Sequence, residues 1–129
     1  MSVFAEQIAA FAAKAQGRID AAIRATVVEV GNRLIELSPE GTGHFKANFN
    51  YGLNAANTAV SEGRTGRTLN YIGAMPAHPG GARHYISNAL PETAVLEFGG
   101  LGRPAHGMFG RTAAALGDIA AKAAKGAAQ

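Results

Sequence analysis

Between residues 4 and 37 the apolar side chains Phe4, Ile8, Phe11, Ala15, Ile19, Ile23, Val27, Val30, Leu34 and Leu37 recur at steps of three and four, while Glu6, Lys14, Arg18, Asp20, Arg24, Glu29, Arg33 and Glu36 occupy the other faces. That spacing lays one continuous stripe along an α-helix. Ser2 is placed to cap the start, and Pro39 forbids helical geometry at Ser38, so the sequence predicts a single helix over 1–37. At 1.5 Å per residue such a helix is about 50 Å long, more than one compact domain of 129 residues requires. The stripe also changes quality along its length. Alanine dominates up to about Ala22, and larger β-branched and leucine side chains follow from Ile23. Only the second half is expected to serve the core, and the first half is expected to pack on a helix of a neighbouring copy. Gly17 and Gly31 are the expected sites of a bend or a close contact.

Composition supports that division. Hydrophobic residues make up 47% of the chain, but 28 of them are alanines, there is no Trp, and there are 17 glycines. A core built from so few large side chains is thin, which points to a protein that draws part of its stability from neighbours. The absence of cysteine excludes disulfides, thiolate metal sites and cysteine nucleophiles. Net charge is +3 with only 16% charged residues, spread from Lys14 to Lys125 among the bases, a weak argument for nucleic acid. The opening residues carry Glu6 where a secretory signal has bases, and no apolar run reaches the length of a membrane span. A soluble protein made in the cytoplasm, with no membrane partner, is the expectation.

Past Pro39 the chain predicts one α+β domain over 1–129, with a long N-terminal helix (1–37), a small antiparallel β-sheet with long loops (44–88), a short helix (91–98) and a C-terminal helix (111–127). Phe45, Ala47, Phe49, Tyr51 and Leu53 alternate with His44, Lys46, Asn48, Asn50 and Asn54, the period-two pattern of a strand with one buried face. Residues 55–83 are irregular and read as a long excursion with one or two weak strands, closed by the breaker cluster 76–81. Residues 83–88 predict a second strand pairing with the first. Pro91 suits the first turn of the short helix, and Gly99-Gly100 end it. Lys122 and Lys125 complement the dipole of the last helix.

No active site emerges. His44, His78, His84 and His106 are the only candidates for metal binding or general-base work, and none has the spacing of a zinc helix or a carboxylate beside it in a recognisable pattern. A nucleophile elbow and a phosphate loop are both missing. A non-enzymatic protein without cofactor or metal is therefore expected. Arg64, Arg67 and Arg83 could present a basic loop to phosphates, which leaves a small nucleic-acid-binding module using residues 63–83 as the alternative. Glu97, a carboxylate inside the mostly apolar run 94–98, is expected to form a structural ion pair with Arg33 or Arg111.

Three blocks carry a resemblance. The run from Glu36 through Ser38-Pro39, Thr42-Gly43, Phe45, Asn48 and Tyr51 to Gly52 resembles the Ser-Pro/Thr-Gly block of tailed-bacteriophage neck and tail-completion proteins. The second, Tyr85-Ile86-Ser87-Asn88-Ala89-Leu90-Pro91-Glu92-Thr93-Ala94-Val95-Leu96-Glu97-Phe98-Gly99, is similar to the same family's Asn-x-Leu-Pro/Leu-Glu-aromatic-Gly block. The third, Pro104-Ala105-His106-Gly107-Met108-Phe109-Gly110-Arg111, resembles its Pro-Ala-Gly-Met-x-Arg ending. Glu92-Thr93 stand where the family has Tyr-Ala, Gly41 where it has Asp, and His106 and Gly110 are single insertions. The resemblance implies a virion structural protein, assembled in the host cytoplasm, that forms a homo-oligomeric ring at the head–tail junction. Its implied partners are further copies of itself, the portal-proximal connector, and tail terminator or tail-tube proteins. Arg64, Arg67 or Arg83 would then face exiting DNA without reading its sequence. Within this reading Thr42-Gly43 and Glu97-Phe98-Gly99 are expected to fix the fold, and the loops 55–83 and 100–107 to meet other subunits or partners.

Overall fold

The structure, a computed structural model, describes residues 3–41, 43–63 and 68–128. Helix α1 spans Val3–Leu37, strand β1 Asn50–Leu53, strand β2 His84–Ser87, helix α2 Thr93–Phe98 and helix α3 Met108–Ala127. The α+β order matches the sequence expectation, although the short helix begins at Thr93, with Pro91 and Glu92 in the turn before it rather than in its first turn. Strands β1 and β2 pair antiparallel, Asn50 opposite Ser87 and Leu53 opposite His84, the pairing expected of the 83–88 segment with the first strand.

Helix α1 is continuous for 35 residues, but its contribution to the core begins only at Val27. Val27, Leu34 and Ile35 pack with Phe45, Phe49, Tyr51, Leu69, Met75, Leu90, Leu96 and Met108. Phe49, with no exposed surface, meets the edge of Phe45 at 5.4 Å between ring centroids and leans on Phe109. Leu69 lies across Gly31, where an added Cβ would sit 3.0 Å from the leucine Cδ2, so this glycine is the close contact expected of it. Gly17 has open space instead.

Helix α3 lies antiparallel along the second half of α1. At one end the Ser38 hydroxyl is 3.2 Å from the Met108 sulfur, and at the other Ala21 faces Gly126 and Ala127 across a shared groove. The first turns of α1, residues 3–19, therefore run on past the end of α3. At 1.5 Å per residue they project about 25 Å, and Phe4, Ile8, Phe11 and Ile19 on this arm are each more than half exposed.

Three expectations need correction. The predicted strand over 45–53 is a strand only from Asn50, because Lys46–Asn48 form a 3-10 turn and every residue from 45 to 52 is buried. Both kinds of side chain in the alternation face inward: Lys46 reaches Glu40 at 3.1 Å, and the asparagines bond to loop backbone. The excursion holds no weak strand among its described residues beyond the single bridge of Asn70 to Asn50, and it adds a 3-10 turn at Ile72–Ala74. Helix α3 begins at Met108, three residues before the expected start, for a reason that lies in Glu97.

So small a core concentrates stability in few side chains. Phe49→Ala is expected to lower the unfolding free energy of the protomer by about 3–5 kcal/mol, whereas Phe11→Ala, on the arm, should change it by less than about 0.5 kcal/mol; urea denaturation of the two variants at a dilution where the chain is monomeric checks the contrast.

Candidate functional site

The three motif blocks, distant in sequence, meet at the end of the molecule where α1 stops. Pro39, Gly41 and Phe45 from the first, Glu92 and Leu96 from the second, and Pro104 and His106 from the third line one surface cavity of about 280 Å³, rimmed by His44 and Arg103. Ser38 is buried at the root of this junction, its hydroxyl donating to the Leu34 carbonyl at 2.6 Å. Gly43 adopts φ +82 in the turn that follows, its N–H bonded to the Glu40 carbonyl at 3.0 Å. Thr42 lies outside the described residues.

Glu97 joins the second block to the third. It is 9% exposed, and its carboxylate accepts hydrogen bonds from the backbone N–H groups of Phe109 at 2.8 Å and Gly110 at 3.0 Å. Among the described residues no arginine pairs with it, which corrects the expected ion pair; Arg111 donates to the His106 carbonyl at 3.4 Å instead. The first N–H groups of a helix have no partner within it and carry partial positive charge, so a buried carboxylate there satisfies two donors and its own charge together. Helix α3 starts at Met108 because Glu97 caps it, with Gly107 turning at φ +60 immediately before. The reverse bonds also form: the carbonyls of Leu96 and Glu97 accept from the N–H groups of His106 and Gly107 at 2.8 and 3.1 Å. Those bonds sustain a helix of only six residues.

Gly99 ends α2 at φ +82, and a Cβ there would lie 3.0 Å from the Ala105 nitrogen, so any other residue would be strained at this position. Phe98, expected to help fix the fold, points outward with 80% of its surface exposed, beside Leu101 at 90%. The loop following α2 thus presents two large apolar side chains. Leu90, Leu96 and Met108 are core residues, Pro91, Pro104 and Arg111 are exposed, and Asn88 ties the two blocks by donating to the Phe45 carbonyl at 3.0 Å.

Buried asparagines do what further strands would have done. Asn48 donates to the Ser61 carbonyl at 3.0 Å and accepts from its N–H at 2.8 Å, the two bonds a β-partner would make. Asn50 donates to Ala59, and Asn70 to Ala47 and to the Asn50 oxygen. The excursion is held against β1 by amides rather than by a ladder. Sequence reasoning placed Asn48 and Asn50 on a solvent face and did not single out Asn70; the repetition of Asn at positions 48 and 50 between aromatic residues was the available signal.

The histidines serve as connectors. Pro79 offers only a carbonyl to His84 Nε2 at 2.9 Å, so that nitrogen carries the proton, and Tyr51 donates its hydroxyl to Nδ1 at 2.7 Å. Burial pushes the Tyr51 hydroxyl above its ordinary pKa. His78 Nδ1 donates to the Asp20 carboxylate at 2.6 Å, Gln16 adds a second bond at 2.9 Å, and Arg24 donates to the Pro76 carbonyl at 2.9 Å. These contacts clamp the 76–79 loop to α1 at the base of the arm. His44 meets the Ser61 carbonyl at 2.8 Å. Among the described residues no three His, Asp or Glu side chains gather as a metal site would require, and no helix is long and apolar enough to cross a membrane. Arg83 is exposed beside β2, where its backbone pairs with Asn54; Arg64 and Arg67 lie outside the described residues.

Compared with protein-family models, with curated proteins and with solved structures, the chain matches none.

Two outcomes test the junction and the clamp. Glu97→Ala should lower stability by about 1–3 kcal/mol, with Glu97→Gln closer to wild type because it keeps an acceptor; chemical denaturation reads both. The hydrogen bond from His78 holds the Asp20 pKa below its ordinary 3.8. A depressed carboxylate stabilises the fold fully above the unfolded value and loses that contribution as pH falls through the folded one. Asp20→Asn should therefore flatten the fall of Tm with pH below about 4 while lowering Tm modestly at neutral pH.

Proposed function

We propose that this protein is a non-enzymatic structural subunit of a tailed-phage or prophage particle, which assembles as a homo-oligomeric ring in the neck and joins the tail to the portal-proximal connector. The observation that carries the reading is the arm of α1: residues 3–19 form a helix with a large apolar stripe that no part of the described chain covers. A lone protomer rarely exposes a contiguous apolar surface of this kind unless a protein or membrane partner covers it. The resemblance of the three motif blocks supplies the identity of the assembly, and their meeting around one cavity supports treating them as a unit. Exposed Phe98 and Leu101 offer a second contact surface, suited to the connector or to a tail-tube or terminator protein. Arg83 is available to DNA passing through such a ring.

Deletion of the gene should leave filled heads and finished tails that fail to join, seen by electron microscopy of the lysate. Joined, infectious virions made without this protein would overturn the reading.

A further inference from the structure

We infer that the arm of one copy, residues 3–19, seats its aromatic stripe in the apolar groove between α1, β2 and α3 of the next copy. The inference deepens the ring assembly proposed above and rests on its premise that the chain associates with itself.

The groove is a second unsatisfied apolar surface on the same molecule. It holds about 310 Å³ and is walled by Val27, Val30, Leu34, Ile86, Phe109 and Leu116. Leu116 at its mouth is 46% exposed although it belongs to the helix that closes the core. Among the described residues its polar lining is two threonines and His84, whose ring nitrogens are both engaged with Tyr51 and Pro79. A space of that volume receives one or two large side chains. The arm offers such side chains as separate knobs, with Phe4 at 72% exposure and Phe11 at 73%, seven residues apart on one face and Ile8 between them.

The two surfaces cannot meet within one chain. Phe11 and Val30 belong to the same unbroken helix, which holds them about 28 Å apart along its axis. A second copy removes that restriction. Val3, Phe4, Ile8, Phe11 and Ile19 together expose on the order of 500–600 Å² of large side chain, most of the ~800 Å² that one side of a standard interface buries. Pairing two arms with each other would cover the stripe but leave the groove open, whereas an arm laid over the groove fills it with one or two of its aromatic side chains and sets the rest of the stripe against the same neighbour. The arm's polar faces carry Glu6, Gln7, Gln16, Lys14 and Arg18, too few bases for a helix that lies on an anionic lipid surface. Because stripe and groove are different patches, the contact is head-to-tail, and repeating it generates a ring where the rotation closes.

The cysteine-free chain makes the test direct. Phe11→Cys and Leu116→Cys proteins are prepared separately, mixed, and oxidised. The expected result is a disulfide between one copy of each variant, with at least tenfold less cross-linking in either variant alone. The oligomer seen by native mass spectrometry should be lost in the double variant Phe4→Ser/Phe11→Ser, with circular dichroism showing the fold retained because both positions are exposed. Cross-linking of Phe11→Cys to itself as efficiently as to Leu116→Cys would overturn the inference in favour of paired arms. An oligomer unaffected by the serine variant would overturn it while leaving the ring intact. Wild-type protein that stays monomeric at high concentration, or whose arm instead binds anionic vesicles, would overturn it too; the head–tail joining phenotype of the deletion then judges the ring separately.

Discussion

The carboxylate of Glu97 under the first turn of α3 is the interaction on which the arrangement of the helices depends. It places the start of α3 at Met108, and twenty residues of helix from that point reach about 30 Å back along α1. They end level with Ala21, so the bare length of α1 follows from where α3 begins. A backbone-bonded, nearly buried acid can hold this position because the helix terminus supplies both the donors and the charge complement that burial demands. The same contact joins the second and third motif blocks, and through Met108 and Ser38 it reaches the first.

Among the described residues the sheet has two short strands, and two strands alone are marginal in water. Here the deficit is met from both sides. Phe45, Phe49 and Tyr51 pack β1 and the turn before it onto α1, and Asn48, Asn50 and Asn70 extend its bonding into a segment that never becomes a strand. Amide side chains allow the excursion to stay irregular while its backbone polar groups remain satisfied.

Long periodic signals were legible and buried polar ones were not. The stripe from Phe4 to Leu37 announced α1, and the division at Ile23 announced which half would be covered, since alanine contributes little area whichever way it faces. The antiparallel pair was expected from the strand-like segments before Asn54 and after Arg83, and β1 and β2 form it. The alternation at 44–54 misled because period two records side-chain direction only when the outward positions meet water, and here Lys46, Asn48 and Asn50 meet protein. Glu97 misled because a lone acid in an apolar run suggests a basic partner, while its true partners are backbone N–H groups that no sequence pattern spells out. Asp20 passed unnoticed for a related reason: its partner His78 stands 58 residues away in a loop.

The clamp at Asp20, Arg24 and Pro76 sits where the covered half of α1 gives way to the bare half. Because α1 runs unbroken through this point, the arm leaves the body along the axis that the packed half of the helix sets, and the 76–79 loop buttresses the helix where its cover ends. In an assembly joined through that arm, as proposed above, the angle that α1 makes with its own body would be repeated at every subunit step. The packing of one helix on its own core would thereby be read out again in the geometry between copies.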